Sequence, residues 1–242
     1  MDTYRNFIGG KWIESTSAKT VNNINPANTD DLIGSVRQAT REEARAAVEA
    51  AAEAFHGWRL TPAPARGKII AKAARLMEDA KEELAQILTR EEGKTIGEAR
   101  GELQRSINVA EFCAGESRRM NGETISSELP SNFVYTIKQP IGVVACVTPW
   151  NFPVAIPTWK IAPALVAGNT VIFKPATLTP ATAVRIVEIF EEAGVPAGVL
   201  NLILGSGSDA GDEIVNHPAV KAISFTGSNP VGIRLYEQVS IR

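Results

Sequence analysis

From residue 142 onward the sequence switches repeatedly between two kinds of segment. Gly142–Val147, Thr170–Lys174, Val199–Leu204 and Val220–Phe225 are short and rich in β-branched or apolar residues, and the first of them is apolar throughout, as in a strand buried on both faces. Pro180–Ala193, Asp209–Asn216 and Ser228–Val239 read instead as helices. Strands of this kind separated by helices are joined by right-handed crossovers, which predicts an α/β fold built on a parallel sheet. Ligands of such sheets bind outside the carboxyl ends of the strands, so the loop after each strand is where function is to be sought.

The first half reads as helical. Thr40 and Glu43 form a capping box, followed at helical spacing by Ala44, Ala47, Val48, Ala51 and Phe55 up to Gly57. Pro62 and Pro64 interrupt, and a second run carries Ile69, Ala73, Leu76, Ala80, Leu84, Ile87 and Leu88 to Gly93. A third extends from about Glu98 through Leu103, Ile107, Ala110 and Ala114 to Asn121-Gly122. Phe133–Gln139 has strand composition and is cut off by Pro140.

With 25 basic and 27 acidic residues the formal charge is −2, which argues against a nucleic-acid or anionic-membrane partner. The apolar stretch Val154–Val166 is broken by Pro157 and Pro163 and is too short to span a bilayer; the N-terminus has no apolar core of a signal peptide. The two cysteines, Cys113 and Cys146, form no CxxC and point to a reducing, cytoplasmic setting. His56 and His217 stand far apart, so no metal site is expected.

After the first strand, Thr148-Pro149-Trp150-Asn151-Phe152-Pro153 holds an asparagine between two prolines. Such an amide is either a turn residue or a rigidly aimed donor for an oxyanion. Lys174 closes the second strand, followed by Pro175, Ala176 and Thr177; it is either a solvated lysine or a ligand for hydroxyls and phosphate. The third strand leads into Gly205-Ser206-Gly207-Ser208-Asp209-Ala210-Gly211, a glycine-rich turn into a helix whose third glycine falls one residue late for GxGxxG. The fourth ends Phe225-Thr226-Gly227-Ser228, where Ser228 is placed to cap the last helix, as an ordinary cap or as part of an anion site.

These four loops in this order, together with NFIGGKW at Asn6–Trp12, NPAN at Asn25–Asn28, EEGKT at Glu91–Thr95, PIGVVACVTPWNFP at Pro140–Pro153 and APALVAGNTVIFKPA at Ala162–Ala176, resemble the NAD(P)-dependent aldehyde dehydrogenase superfamily, and within it the 2-oxoglutarate and succinate semialdehyde types. The resemblance implies a Rossmann-like parallel sheet with flanking helices. It places residues 1–122 in the N-terminal helical part of the cofactor-binding domain, 123–147 in a protruding β strand pair used for oligomerisation, and 148–242 in the Rossmann-like part, with the catalytic domain absent.

It also implies roles. Asn151 donates to the oxyanion; Trp150, with Thr148 and Pro149, lines the pyrophosphate channel; Lys174, beside Ala176, bonds the adenosine ribose; Gly207 and Gly211 admit adenine and its ribose; Phe225, Thr226, Gly227 and Ser228 bring a helix start to the phosphate. NAD-preferring members carry Glu where this chain has Thr177, so NADP is expected to be accepted, alongside NAD. The substrate implied is a small aldehyde, and the complete enzyme is a dimer or tetramer of identical chains. The family's nucleophilic Cys and general-base Glu follow the FTGS segment, beyond Arg242. Cys113 and Cys146 read as buried and Glu91 and Glu92 as solvated, so the chain alone is expected to be inactive; the alternative function is a non-catalytic nucleotide-binding or assembly fragment. Arg119 and Trp159 are candidates for contact with the aldehyde.

Overall fold

The structure, a computed structural model, describes residues 2–240. Strands β1 (Asp2–Tyr4), β2 (Asn6–Ile8), β3 (Lys11–Ile13), β4 (Thr20–Ile24) and β5 (Leu32–Arg37) precede the helices α1 (Arg41–Trp58), α2 (Ala63–Asp79), α3 (Lys81–Glu92) and α4 (Ile96–Glu116). A two-stranded hairpin, β6 (Thr124–Ile125) and β7 (Val134–Tyr135), follows. The second half runs β8 (Val143–Val147), α5 (Ala155–Val166), β9 (Thr170–Lys174), α6 (Pro180–Ala193), β10 (Leu200–Leu202), a π-helical turn (Gly207–Gly211), α7 (Asp212–Asn216), β11 (Val220–Phe225) and α8 (Asn229–Ser240).

The main sheet has the order β11-β8-β9-β10-β2-β3, in which β11, β8, β9 and β10 are parallel and β2 and β3 extend the edge antiparallel. The chain runs outward from β8 to β9 to β10 and then crosses back to lay β11 on the other side of β8. The strand order therefore reverses at β8, and an open α/β sheet has its crevice there.

Both faces of the sheet are covered, which explains the continuous apolar character of its strands. Val144, Cys146, Val171, Phe173 and Leu202 join the core packed by α2 to α6, while Val143, Ala145, Ile172 and Ile203 join the core under α1 and α7. Alternate side chains of one strand thus enter different cores. Phe173 is fully buried, and its truncation to Ala is expected to cost about 3–5 kcal/mol. Helix α1 begins with the Thr40–Glu43 capping box and buries Ala44, Ala47, Val48 and Ala51 against the sheet. That small-residue stripe lets backbones approach: Gly198, at φ +79, leaves no room for a Cβ, which would lie 2.8 Å from the Ala50 carbonyl oxygen.

Residues 2–37 are the main departure from the sequence analysis, which places no strand before Thr40. Helix begins only at Arg41. The strands ahead of it are three to six residues long, too short for a readable alternation, and they are fixed by distant partners: the Leu204 amide donates to Asn6 Oδ1 at 2.7 Å, and the Gly9 amide to Asn201 Oδ1 at 2.8 Å. The expected strand Phe133–Gln139 is paired only at Val134–Tyr135. Among the described residues no helix is long and apolar enough to cross a membrane.

Candidate functional site

At the carboxyl ends of β8, β9 and β11 lies a cleft of about 350 Å³. Its walls come from the four loops singled out in the sequence: Thr148, Pro149 and Trp150 after β8; Lys174 at the end of β9; Gly207 and Gly211 after β10; and Phe225, Thr226, Gly227 and Ser228 after β11. Backbone bonds fix the strand ends around it. The Thr148 amide donates to the Lys174 carbonyl at 3.2 Å and the Thr226 amide to the Val147 carbonyl at 3.1 Å.

The polar groups in this wall are under-used by the protein. Thr148 is buried, yet its Oγ1 has no hydrogen-bond partner among the described residues. Lys174 is buried rather than solvated; its Nζ donates only to the Pro175 carbonyl, at 3.0 Å, and pairs with no carboxylate among the described residues. Burial pushes its pKa from the usual 10.5 down to about 8. The stem of Lys174 packs against Gly211, where an added Cβ would stand 3.4 Å from Cε. At Gly207 a Cβ would meet nothing within 4 Å, so the missing side chain leaves space the protein itself does not fill.

Ser228 precedes α8, and its carbonyl accepts from the Gly232 amide at 3.0 Å. Its hydroxyl, expected to cap the helix, makes no hydrogen bond among the described residues. An unengaged hydroxyl beside free amides of a helix start, a buried lysine and an orphan threonine hydroxyl suit a ligand that carries both phosphate and sugar hydroxyls.

Asn151, Ala176 and Thr177 stand outside the lining of this cleft. Asn151 is exposed, its amide free of hydrogen bonds among the described residues, while its carbonyl accepts from Lys94 Nζ at 3.0 Å. Ala176 and Thr177 are half-buried beyond Lys174. Arg119 is exposed and paired with Glu116 at 2.7 Å, and Trp159 lies partly exposed on α5.

Both cysteines are buried. The Cys146 thiol, inside β8, is pushed up to about 12 by burial, and Cys113 on α4 is raised by burial and by the neighbouring Glu116. Among the described residues no group of three or more His, Cys, Asp or Glu is placed to hold a metal ion.

Three charged residues escaped the sequence analysis in their true roles. Glu91, expected to be solvated, is buried: it accepts from the Ala181 and Thr182 amides at the start of α6, at 2.7 and 2.9 Å, and from Asn23 Nδ2 at 2.6 Å. Glu102, also buried, accepts from the Val154 and Ala155 amides at the start of α5, at 2.9 and 3.0 Å, and pairs with Lys94. Glu92 is half-buried, 3.4 Å from Lys94 Nζ. The sequence carries no local signal for these roles, because the amides that Glu91 and Glu102 accept lie 52 to 91 residues further along the chain.

The model of the aldehyde dehydrogenase family matches residues 12–242. The chain belongs to the aldehyde dehydrogenase family. It is 48% identical over 231 residues to the alpha-ketoglutaric semialdehyde dehydrogenase of Bacillus subtilis, covering 96% of this chain and 47% of that protein. To the succinate-semialdehyde dehydrogenase [NADP(+)] GabD of Escherichia coli it is 42% identical over 231 residues, covering 96% of this chain and 48% of the relative. Among solved structures, betaine aldehyde dehydrogenase from Staphylococcus aureus in complex with NAD+ superposes with a TM-score of 0.95 at 38% identity, over 98% of this chain and 48% of the other. An NADP-dependent enzyme of E. coli gives a TM-score of 0.96 at 40% identity, over 99% and 50%. The chain spans about half the length of the aldehyde dehydrogenases it matches.

Proposed function

We propose that this chain supplies the nucleotide site and the oxyanion donor of an NAD(P)-dependent dehydrogenase that oxidises a small aldehyde, a semialdehyde by kinship, to the carboxylic acid. The observation that carries the proposal is the cleft whose wall holds a buried Lys174 with no carboxylate partner and a buried Thr148 hydroxyl with no hydrogen bond, both among the described residues. These are groups that a dinucleotide would satisfy. The match to relatives named for semialdehydes and to structures named for NAD+ and NADP supports it.

Bound there, NAD(P) supplies the hydride acceptor. The residues of this chain do the holding: Lys174 donates to ribose hydroxyls, Ser228 and the start of α8 face phosphate, Trp150 flanks the pyrophosphate, and Gly207 and Gly211 leave room for adenosine. Thr177, being neutral, accepts a 2′-phosphate as well as a 2′-hydroxyl, so NADP and NAD both bind. The Asn151 amide donates to the oxygen that gains charge when the aldehyde is attacked. Neither Cys146 nor Cys113 is suited to that attack, because both are buried with raised thiol pKa values. The nucleophile and the water-activating carboxylate then lie outside these 242 residues. The two unpaired thiols fit a reducing, cytoplasmic setting.

Titration of the chain with NADP+ and NAD+, followed by tryptophan fluorescence and assigned with Trp150→Phe, should show saturable binding weakened about tenfold or more by Lys174→Met. An absence of saturable binding would overturn the proposal. With succinate semialdehyde and NADP+ the chain should form no NADPH; Asn151-dependent formation would refute the assignment of the nucleophile elsewhere.

Assembly is a second reading favoured by one observation. Ile125, Phe133, Tyr135 and Ile137 on and around the β6–β7 hairpin are more than half exposed. An apolar hairpin with open edges pairs with other strands, here those of a second subunit in a dimer or tetramer. Sedimentation of the chain with Phe133→Lys and Tyr135→Lys should show a smaller species than the unaltered chain.

A further inference from the structure

Resting on the oxyanion role proposed for Asn151, we infer that Lys94, held by Glu102, is the positioning residue that fixes the direction of the Asn151 amide. Lys94 follows Gly93, whose left-handed conformation, φ +87, ends α3 and turns the chain back toward the loop after β8. Its side chain is only 10% exposed. From there Nζ donates to the Asn151 carbonyl at 3.0 Å and stands 4.5 Å from the centroid of the Phe152 ring.

Lys94 is paired with two carboxylates, Glu92 at 3.4 Å and the more deeply buried Glu102, and Glu102 uses its other carboxylate oxygen to accept the Val154 and Ala155 amides. One ion pair therefore grips both ends of the segment from Asn151 to Ala155. At the front it holds a carbonyl and a ring; at the back it holds the two amides that open α5. The Asn151 side chain itself makes no hydrogen bond among the described residues.

This is the arrangement an aimed donor requires. If the loop were fixed through the Asn151 side chain, the amide would be consumed. Fixing it through the main chain leaves the amide free and still directed, and rate is lost steeply when such a donor drifts by about an ångström. The grip comes from α4 and the turn before it, not from the sheet that carries the nucleotide cleft. Loss of Lys94 therefore acts on the chemical step and leaves nucleotide affinity alone.

A double-mutant cycle in the complete dehydrogenase containing this chain tests the inference, with the pre-steady-state rate of hydride transfer, KM for the aldehyde and the nucleotide Kd as readouts. Asn151→Ala should lower the transfer rate about 10²–10³-fold. Lys94→Met should lower it about 10- to 100-fold, with KM and nucleotide Kd changed less than about twofold, and should cost nothing further when added to Asn151→Ala. If Lys94→Met lowers the rate by the same factor with and without the Asn151 amide, or not at all, the positioning role is overturned while the oxyanion role stands. If Asn151→Ala itself leaves the rate unchanged, both fall. Should Lys94→Met fail to fold, Lys94→Arg, which keeps the charge beside Glu102 but displaces the donor from the Asn151 carbonyl, carries the same cycle with the same criteria.

Discussion

The Thr148 amide donates to the Lys174 carbonyl across 3.2 Å, continuing the pairing of β8 and β9 past its last residue pair, Val147 and Lys174. The bond sets the two under-used polar groups of the cleft on neighbouring strand ends, one a hydroxyl and the other an ammonium, both buried.

If the cleft holds a nucleotide as proposed, the Lys174 ammonium should give its binding a pH dependence. Its folded pKa, about 8, lies below the 10.5 of an exposed lysine. Without ligand, the folded chain releases this proton before the unfolded chain does, so its contribution to stability rises between about pH 8 and pH 10.5. Affinity runs the other way, because the charged form is the better donor to ribose and phosphate oxygens. The NADP+ affinity should be flat from about pH 7 to pH 8 and then fall toward about tenfold per pH unit. In Lys174→Met this limb should vanish; a limb that persists would assign the dependence to another group.

Thr148→Val separates a ligand-directed hydroxyl from a structural one. Removing a buried hydroxyl that has no partner among the described residues relieves a desolvation cost, so the apo chain should gain about 1 kcal/mol in denaturant unfolding. Nucleotide affinity should fall about two- to tenfold, the worth of one neutral hydrogen bond. A loss of stability on substitution would mean that the hydroxyl is engaged within the protein, and would remove it from the site.

How far the sequence reveals this site depends on where each residue finds its partners. The strands Thr170–Lys174 and Val220–Phe225 and the helix Pro180–Ala193 stand where their composition places them, because their signals are local: apolar runs, and a proline at the helix start. All four loops after the strands converge on one cleft, as parallel topology requires. The burial of Lys174 is not legible, since a lysine at a strand end is solvated by default, whereas here Gly211, distant in sequence, packs on its stem. Glu91 and Glu102 are hidden for a related reason. Each is defined by helix starts 52 to 91 residues away, and nothing in the EEGKT run around Glu91, or on α4 around Glu102, distinguishes a carboxylate capping another helix from one facing water.

Thr177→Glu should shift nucleotide choice. Thr177 is half-buried beyond Lys174 and its hydroxyl makes no hydrogen bond among the described residues. A carboxylate there repels a 2′-phosphate and accepts from a 2′-hydroxyl. The ratio of NADP+ to NAD+ affinity should drop about tenfold or more, because repulsion at such range exceeds the roughly 1.4 kcal/mol that a factor of ten requires. An unchanged ratio in paired titrations would remove Thr177 from the 2′ position.

Glu91 should make the fold itself pH-sensitive. Burial outweighs the hydrogen bonds it accepts from Thr182, Ala181 and Asn23 and raises its pKa from 4.5 to about 7. The folded chain therefore holds this proton where the unfolded chain has lost it. The stability it contributes is complete below about pH 4.5 and is lost as pH rises to about 7, an effect of the order of 3 kcal/mol across the window. Glu91→Gln cannot titrate. It also turns an amide N–H₂ toward amides that need an acceptor, so it should be less stable by about 1–3 kcal/mol near neutral pH. The stability difference between the two proteins, measured by urea unfolding at intervals from about pH 4 to pH 8, should be largest at the acid end and shrink toward neutrality. A difference that stays constant with pH would show that Glu91 is ionised throughout, held as a carboxylate by the start of α6.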